Sequence, residues 1–237
     1  ATKYDKTSLV VGVSGGIDSS VVSALCAETG LTTIPVILSI NMEGTNGTSN
    51  QNKEDLLAHE QMCWLEDNYT NIEGMTMNMN NIFRRFMVFA NQLGANSELG
   101  FVNSRSRMRM AMLYQIAQSN NGLVIGTGNK VEDFGVGFFT KWGDGGVDIS
   151  PIGDLYKSEV YKLGTSLGIL KSIFSAAPTD GLWDDGRTDE DQLGLTYDQL
   201  EDAMKRGVRS EHYERYNELR TANLHKMEPI PVFLTKQ

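Results

Sequence analysis

Ser8-Leu9-Val10-Val11-Gly12-Val13-Ser14-Gly15-Gly16-Ile17-Asp18-Ser19-Ser20 decides how this chain is read. The apolar run from Ser8 to Val13 predicts a buried strand, the small residues after it a tight loop, and the stretch 19–27 an amphipathic helix. Strand, small-residue turn and helix N-terminus in that order present several backbone N–H groups to an anion. Gly15 and Gly16 let the main chain come close, and Ser14, Ser19 and Ser20 add hydroxyl donors. Asp18 is the odd member, because a carboxylate repels a bare phosphate; it fits if a divalent cation lies between the two. No lysine follows in the Gly-Lys-Ser/Thr position, so this is not the common nucleotide-triphosphate loop. The duller reading is a glycine turn at a strand end that binds nothing.

Working outward, residues 31–40 read as a second strand, and their polar, glycine-bearing tail at 41–52 as a mobile loop over the site. Helical spacing runs over 53–68. Met75, Met77 and Met79 alternate with polar residues, which predicts a half-buried third strand rather than a metal box. Helices are expected at 81–93 and 97–119, a short buried strand at 123–126, another strand end at 148–151, and a helix over 155–167 stopped by Gly168. The acidic, glycine-rich stretch 179–194 is either a solvated loop or a lid that orders on binding, and helices at 197–206 and 210–224 close the chain. Strands alternating with helices predict an α/β fold, a doubly wound, mostly parallel sheet flanked by helices. With no linker or internal repeat, a single domain over 1–237 is expected.

Composition narrows the function. A net charge of −9 argues against broad binding to nucleic acid or an acidic membrane. No apolar run approaches the roughly 18–20 residues of a membrane span, and no signal peptide is visible. The expectation is a cytoplasmic protein in which Cys26 and Cys63 are buried, reduced thiols.

A second constellation follows the strand at 123–126: Gly126-Thr127-Gly128-Asn129, then Glu132, then Phe138-Phe139-Thr140-Lys141-Trp142-Gly143-Asp144-Gly145-Gly146-Val147-Asp148. Loops at the carboxyl ends of strands in a doubly wound sheet line one crevice. Asp18 and Glu132 would both lie at that edge and could share a magnesium ion, which takes one or two carboxylates plus phosphate oxygens. The alternative is a glycine-rich turn carrying stray acids.

The motif Ser-Gly-Gly-x-Asp-Ser resembles the pyrophosphate loop of ATP pyrophosphatases, which split ATP between its α and β phosphates to adenylate a substrate. As a whole the sequence is similar to the ammonia-dependent NAD synthetases. The resemblance is carried by Gly12–Ser19, Asn103-Ser104-Arg105-Ser106-Arg107-Met108, Gly-Thr-Gly-Asn with Glu132, and the Lys141–Asp148 run. Leu155-Tyr156-Lys157, Pro178-Thr179, Thr188-Asp189-Glu190 and His225-Lys226 continue it in family order.

That resemblance implies ATP-dependent adenylation of the nicotinate carboxylate of deamido-NAD, then attack by ammonia to give NAD and AMP. It implies that Gly12, Val13, Ser14, Gly15, Gly16, Ile17, Asp18 and Ser19 hold the ATP phosphates, with Asp18 and Glu132 on Mg2+. Thr127, Lys157 and Thr179 would contact ATP, with Lys157 at the α-phosphate or pyrophosphate. Arg105, Lys141, Asp148, His225 and Lys226 would bind deamido-NAD, and Asp148 or Asp144 would take a proton from ammonium. Asp18, Lys157 and Asp148 are thus the catalytic candidates. The family further implies a homodimer with the dinucleotide site at the subunit interface.

Duller readings stand beside these. Arg105, Arg107 and Arg109 recur every second residue and so spread around a helix; one would bind ligand and the others lie at the surface or an interface. Phe138, Phe139 and Trp142 pack either against a base or in the core. Thr188-Asp189-Glu190 follows Arg187 where the family more often has glutamine, so that loop is assigned no role. Glutamine-dependent relatives carry an amidase domain with a cysteine nucleophile; neither cysteine here has such a setting, so free ammonia is the expected donor. Rival readings are another ATP pyrophosphatase, tRNA-thiolating or nucleotide-amidating, and a non-catalytic ATP-binding module.

Overall fold

A computed structural model describes residues 2–40, 53–179, 182, 187–233 and 235. The loop expected at 41–52, and the part of the expected lid at 180–181 and 183–186, lie outside the described residues. Four strands, β1 (Ser8–Gly12), β2 (Thr32–Ser39), β3 (Met75–Asn78) and β4 (Gly122–Ile125), form one sheet in the order β3-β2-β1-β4. Every pair is parallel; Val10 sits opposite Ile34 on one side and Val124 on the other. Parallel neighbours need a crossover and are buried on both faces, which explains the near-continuous apolar runs of β1 and β2.

The alternation of β1 sorts the layers. Leu9 and Val11 face one side, against α1 (Ile17–Glu28) and a later helix, α5 (Lys157–Leu167). Leu57 and Leu65 of α2 (Lys53–Asn68) pack in the same layer. Val10 faces the other side with Ile34, Val36 and Leu38, against α3 (Asn80–Gln92) and α4 (Glu98–Ser119). The sheet is therefore doubly wound, as the sequence predicts. β2 lies on one side of β1 and β4 on the other, so the connection reverses at β1. The crevice beyond the carboxyl ends of β1 and β4 is where such sheets bind ligands.

Two strand expectations change. Met75 and Met77 are exposed, because β3 is an edge strand; only Met79, just past it, enters the core. The strand expected to end at 148–151 amounts to a single parallel bridge, Ile125 to Ile149. Beyond α5, the one-turn α6 (Lys171–Phe174) leads to a separate helical layer. It comprises α7 (Asp189–Leu193), α8 (Tyr197–Arg206) and α9 (Tyr213–Met227). Its small core of Leu193, Tyr197, Leu200, Ala203 and Tyr216 closes on Val131 and Val136 of a π-helical turn, Lys130–Val136. Thr188 and Thr196 open α7 and α8 through reciprocal caps with Asp191 and Gln199, and Gly194 ends α7 in the left-handed region. Among the described residues no helix is long and apolar enough to cross a membrane.

The cysteines divide. Cys26 is buried in α1, and burial pushes its thiol up to about 12, whereas Cys63 on α2 is exposed, against expectation. At pH 8 a thiol reagent is therefore expected to modify one cysteine, Cys63, in the folded protein and both after denaturation. Peptide mapping of the labelled protein checks this assignment.

Candidate active site

The loop after β1 is stitched by its own residues. Val13 N donates to Val36 O (2.9 Å), and the side chains of Val13 and Ile17 are buried, so in the loop they offer only main chain. Ser14 N donates to Ser19 Oγ (3.2 Å), Gly16 N to Ser14 Oγ (3.3 Å), and the Ser19 and Ser20 hydroxyls to Gly16 O (3.1 and 2.9 Å). Gly15 has a φ of 86°, and a Cβ there would lie 2.5 Å from Glu54 O and 2.8 Å from Ala58 N. The first turns of α2 thus lie against the loop, and only glycine fits between them. Gly16 caps α1 with no side-chain bond, which leaves the positive end of the helix at the loop.

Three charged side chains from separate segments meet beside it. Lys157, the first residue of α5, places Nζ 2.5 Å from Asp18 Oδ2 in the first turn of α1. The same Nζ lies 2.9 Å from Glu132 Oε1 in the π-helical turn. Side-chain exposure is 4% for Lys157, 16% for Asp18 and 15% for Glu132, so the triad is largely shielded from solvent yet open on the carboxylate side. Asn129 ties two of the segments together. Its Nδ2 donates to Asp18 Oδ1 (3.1 Å), and its Oδ1 accepts from Val131 N (2.9 Å) and Glu132 N (3.2 Å). The Tyr197 hydroxyl lies 2.5 Å from Glu132 Oε1 and 2.9 Å from Asp189 Oδ2.

Burial is the largest influence on each member, and the outcome differs. For Asp18 burial wins over the attraction of Lys157 and the carboxyl is raised. For Glu132 burial is outweighed by Lys157 and the Tyr197 hydrogen bond, and the carboxyl is lowered. For Lys157 burial is outweighed by both carboxylates, which hold the ammonium charged. Burial, together with Glu132, Asp144 and Asp18, drives Asp133 well above the usual carboxylate range. Two carboxylates on one ammonium leave an excess of negative charge. Asp18 and Glu132 supply the hard oxygen donors that magnesium prefers, and a pair suffices if phosphate oxygens complete the shell. Among the described residues no group of three or more His, Cys, Asp or Glu could hold a metal by itself.

The remaining sequence-predicted residues fall into three places. Thr127 lies in the turn between β4 and Asn129. Thr179 Oγ1 donates to Arg187 O (3.2 Å), close to the Asp189 N to Pro178 O bond (3.0 Å). Arg105 is buried on α4, its Nη1 donating to Leu182 O (2.7 Å) and its guanidinium 5.7 Å from the Phe83 ring. Lys141, His225 and Lys226 come together where α9 crosses the loop 137–141. Lys141 Nζ donates to His225 O (2.6 Å), and Lys226 Nζ to Gly137 O and Phe139 O (both 2.9 Å). Asp148 is fixed beside β4, accepting from Val124 N (2.8 Å) and Tyr114 OH (3.1 Å). Asp144 Oδ1 accepts from Ser106 Oγ (2.6 Å) and Thr140 N (3.0 Å).

Arg107 Nε donates to Lys141 O and Arg109 Nε to Leu38 O, both ties to main chain. Trp142 is exposed, with a φ of 67°, so it is no core residue. Sequence reasoning missed Tyr197, and it quoted Asp189 in the Thr188-Asp189-Glu190 run without giving it a role. The two threonine caps offered a signal, since each places one of them at the first position of a short helix.

A glycine turn at the switch point of a parallel sheet, facing two acids and a buried lysine, defines the class: an α/β protein whose ligand crevice opens beside a helix N-terminus, the arrangement that suits a nucleotide phosphate. A family model described as NAD synthase matches residues 1–230. The chain is 38% identical over 231 residues to the NH(3)-dependent NAD(+) synthetase of Archaeoglobus fulgidus, covering 95% of this chain and 88% of that protein. Among solved structures, one titled NMN synthetase from Francisella tularensis superposes with a TM-score of 0.85 at 35% identity, covering 98% of this chain and 91% of that one. NH3-dependent NAD synthetase from Campylobacter jejuni superposes with a TM-score of 0.72 at 24% identity over 98% and 91% of the two chains, a likeness of fold. This chain belongs to the NAD synthase family.

Gly15→Ala tests the loop. The strained φ and the collision with α2 are expected to cost more than about 1 kcal/mol of stability. Affinity for α,β-methylene-ATP should fall with it; urea melts and calorimetric titration read the two effects.

Proposed function

We propose that this protein is an ATP-dependent ligase that amidates the nicotinate carboxylate of deamido-NAD with ammonia. The carboxylate oxygen attacks the α-phosphorus of ATP, pyrophosphate leaves, and the resulting acyl-adenylate is attacked by ammonia to give NAD and AMP. Adenylation is needed because an unactivated carboxylate has no good leaving group. The observation that carries this reading is the meeting of Asp18, Glu132 and Lys157 on one side of a glycine turn.

In this reading the main chain of residues 12–19 and the Ser14 and Ser19 hydroxyls bind the ATP phosphates. Lys157, held charged, donates to the α-phosphate or the departing pyrophosphate, where negative charge grows. Asp18 and Glu132 hold Mg2+, which supplies charge neutralisation on the phosphate oxygens when bound. Thr127 and Thr179 contact ATP. Arg105, Lys141, His225 and Lys226 bind the dinucleotide, as does Asp148, and Asp148 or Asp144 accepts a proton from ammonium. Val124 N and Tyr114 OH both donate to Asp148 and fix the orientation of its carboxylate.

The likeness to the Francisella protein favours a second reading of the acid. The same chemistry applied to nicotinic acid mononucleotide yields NMN. Offering the two acids separately, with ATP, Mg2+ and ammonium, decides between them by which amide and how much AMP appear. Asp18→Asn is expected to lower pyrophosphate release by about a hundredfold or more, and Lys157→Met to lower the single-turnover rate of adenylation by a similar factor. Wild-type rates in either variant would remove that residue from the reaction.

The protein also acts as a homodimer in this reading. Ile82, Phe86 and Phe89 of α3, Leu93 just past its end and Leu99 of α4 are exposed apolar side chains, and they suit a second copy of the chain. Phe89→Glu is expected to shift the protein from dimer to monomer in sedimentation velocity; an unchanged dimer would move the interface elsewhere.

A further inference from the structure

The proposed reaction leaves Tyr197 unused, although its side chain is tied on several sides. It opens α8, and its ring is buried among Val131, Val136 and Leu200. Its hydroxyl reaches Glu132 Oε1 at 2.5 Å and Asp189 Oδ2 at 2.9 Å, and the Lys157 ammonium lies 4.6 Å from its ring centre. A phenol carries one proton, and two carboxylate oxygens face it. The shorter contact is to Glu132. Tyr197 and Lys157 therefore meet Glu132 at the same oxygen, Oε1, one from α8 and the other from α5, which fixes the rotation of that carboxylate.

We propose that Tyr197 is a positioning residue for Glu132. Its hydroxyl sets the carboxylate to receive the cation, and its contact with Asp189 links that setting to the segment that carries Thr179. The link is short, because Asp189 N donates to Pro178 O and Thr179 Oγ1 to Arg187 O. Carboxylates that bind cations depend on such hydrogen bonds, and their loss weakens metal affinity by about 10–100-fold. This inference rests on reading Asp18 and Glu132 as the cation pair.

The test is Mn2+ binding to the full chain in the presence of α,β-methylene-ATP, followed by electron paramagnetic resonance. If the wild-type protein shows no nucleotide-dependent Mn2+ site, the reading of the carboxylate pair fails and takes this inference with it. Given that site, Tyr197→Phe keeps the buried ring and removes only the hydroxyl; Mn2+ affinity is expected to fall about tenfold, with the activity loss falling on the KM for Mg2+ more than on kcat. A folded Tyr197→Phe protein with wild-type Mn2+ affinity overturns the proposal. Should that variant not fold, Asp189→Asn decides. Its amide donates to the phenol oxygen and commits the phenol proton to Glu132, so Mn2+ affinity should stay within about twofold of wild type. A tenfold loss there would mean that Asp189 itself serves the cation, and would overturn the role given to Tyr197.

Discussion

The ammonium of Lys157, buried between Asp18 and Glu132, is the interaction on which the rest of this structure depends. Taking charges out of water is expensive, and such a group persists only when its partners are held in good geometry. Here the partners lie 139 and 25 residues away in sequence, on α1 and on the π-helical turn, so the triad forms only when the whole sheet and its crossovers are assembled. Its charge does not balance. One ammonium meets two carboxylates, so the group is held together and yet leaves carboxylate oxygens free to attract a further positive charge.

The fold brings these residues together by a single topological choice. Because the strand order reverses at β1, the loops after β1 and β4 open into the same crevice, one carrying Asp18 and the other Asn129 and Glu132. α5 then packs on α1 and presents Lys157 from the same side. The helical layer of α7, α8 and α9 has its own core, and it closes on the π-helical turn rather than on the sheet. That arrangement explains why Tyr197 and Lys226 reach the loops from the far end of the chain: they belong to the layer that braces those loops.

Much of this was legible in the sequence, for local reasons. The apolar run of β1, the glycine turn and the start of α1 are adjacent, although α1 is buried on nearly every side over Ile17–Ala27 rather than amphipathic as read, and Gly168 marks the end of α5 as read. The pairing of Asp18 with Glu132 followed from topology, since both fall after strands of a parallel sheet. What stayed hidden depends on distant partners. Nothing local told that the alternation of Met75 and Met77 belonged to an edge strand, or that the 148–151 stretch would contribute one bridge. Asn129 was visible as part of a motif, but its bond to Asp18 spans 111 residues, and that of Tyr197 to Glu132 spans 65. No periodicity records such pairs. The arginines of α4 show the same limit: their spacing ruled out a single stripe, but only packing reveals that Arg109 holds the main chain at Leu38.

The clasp formed by Pro178 O with Asp189 N and by Thr179 with Arg187 has an evolutionary corollary. Because the two ends are pinned to each other, closing the span between them is cheap, and what a change of length there must preserve is the bond from Arg105 Nη1 to Leu182 O. Doubling such a span costs only about 0.6 kcal/mol. An insertion or deletion in this span is therefore costly where it moves Leu182 away from Arg105, and cheap where it does not.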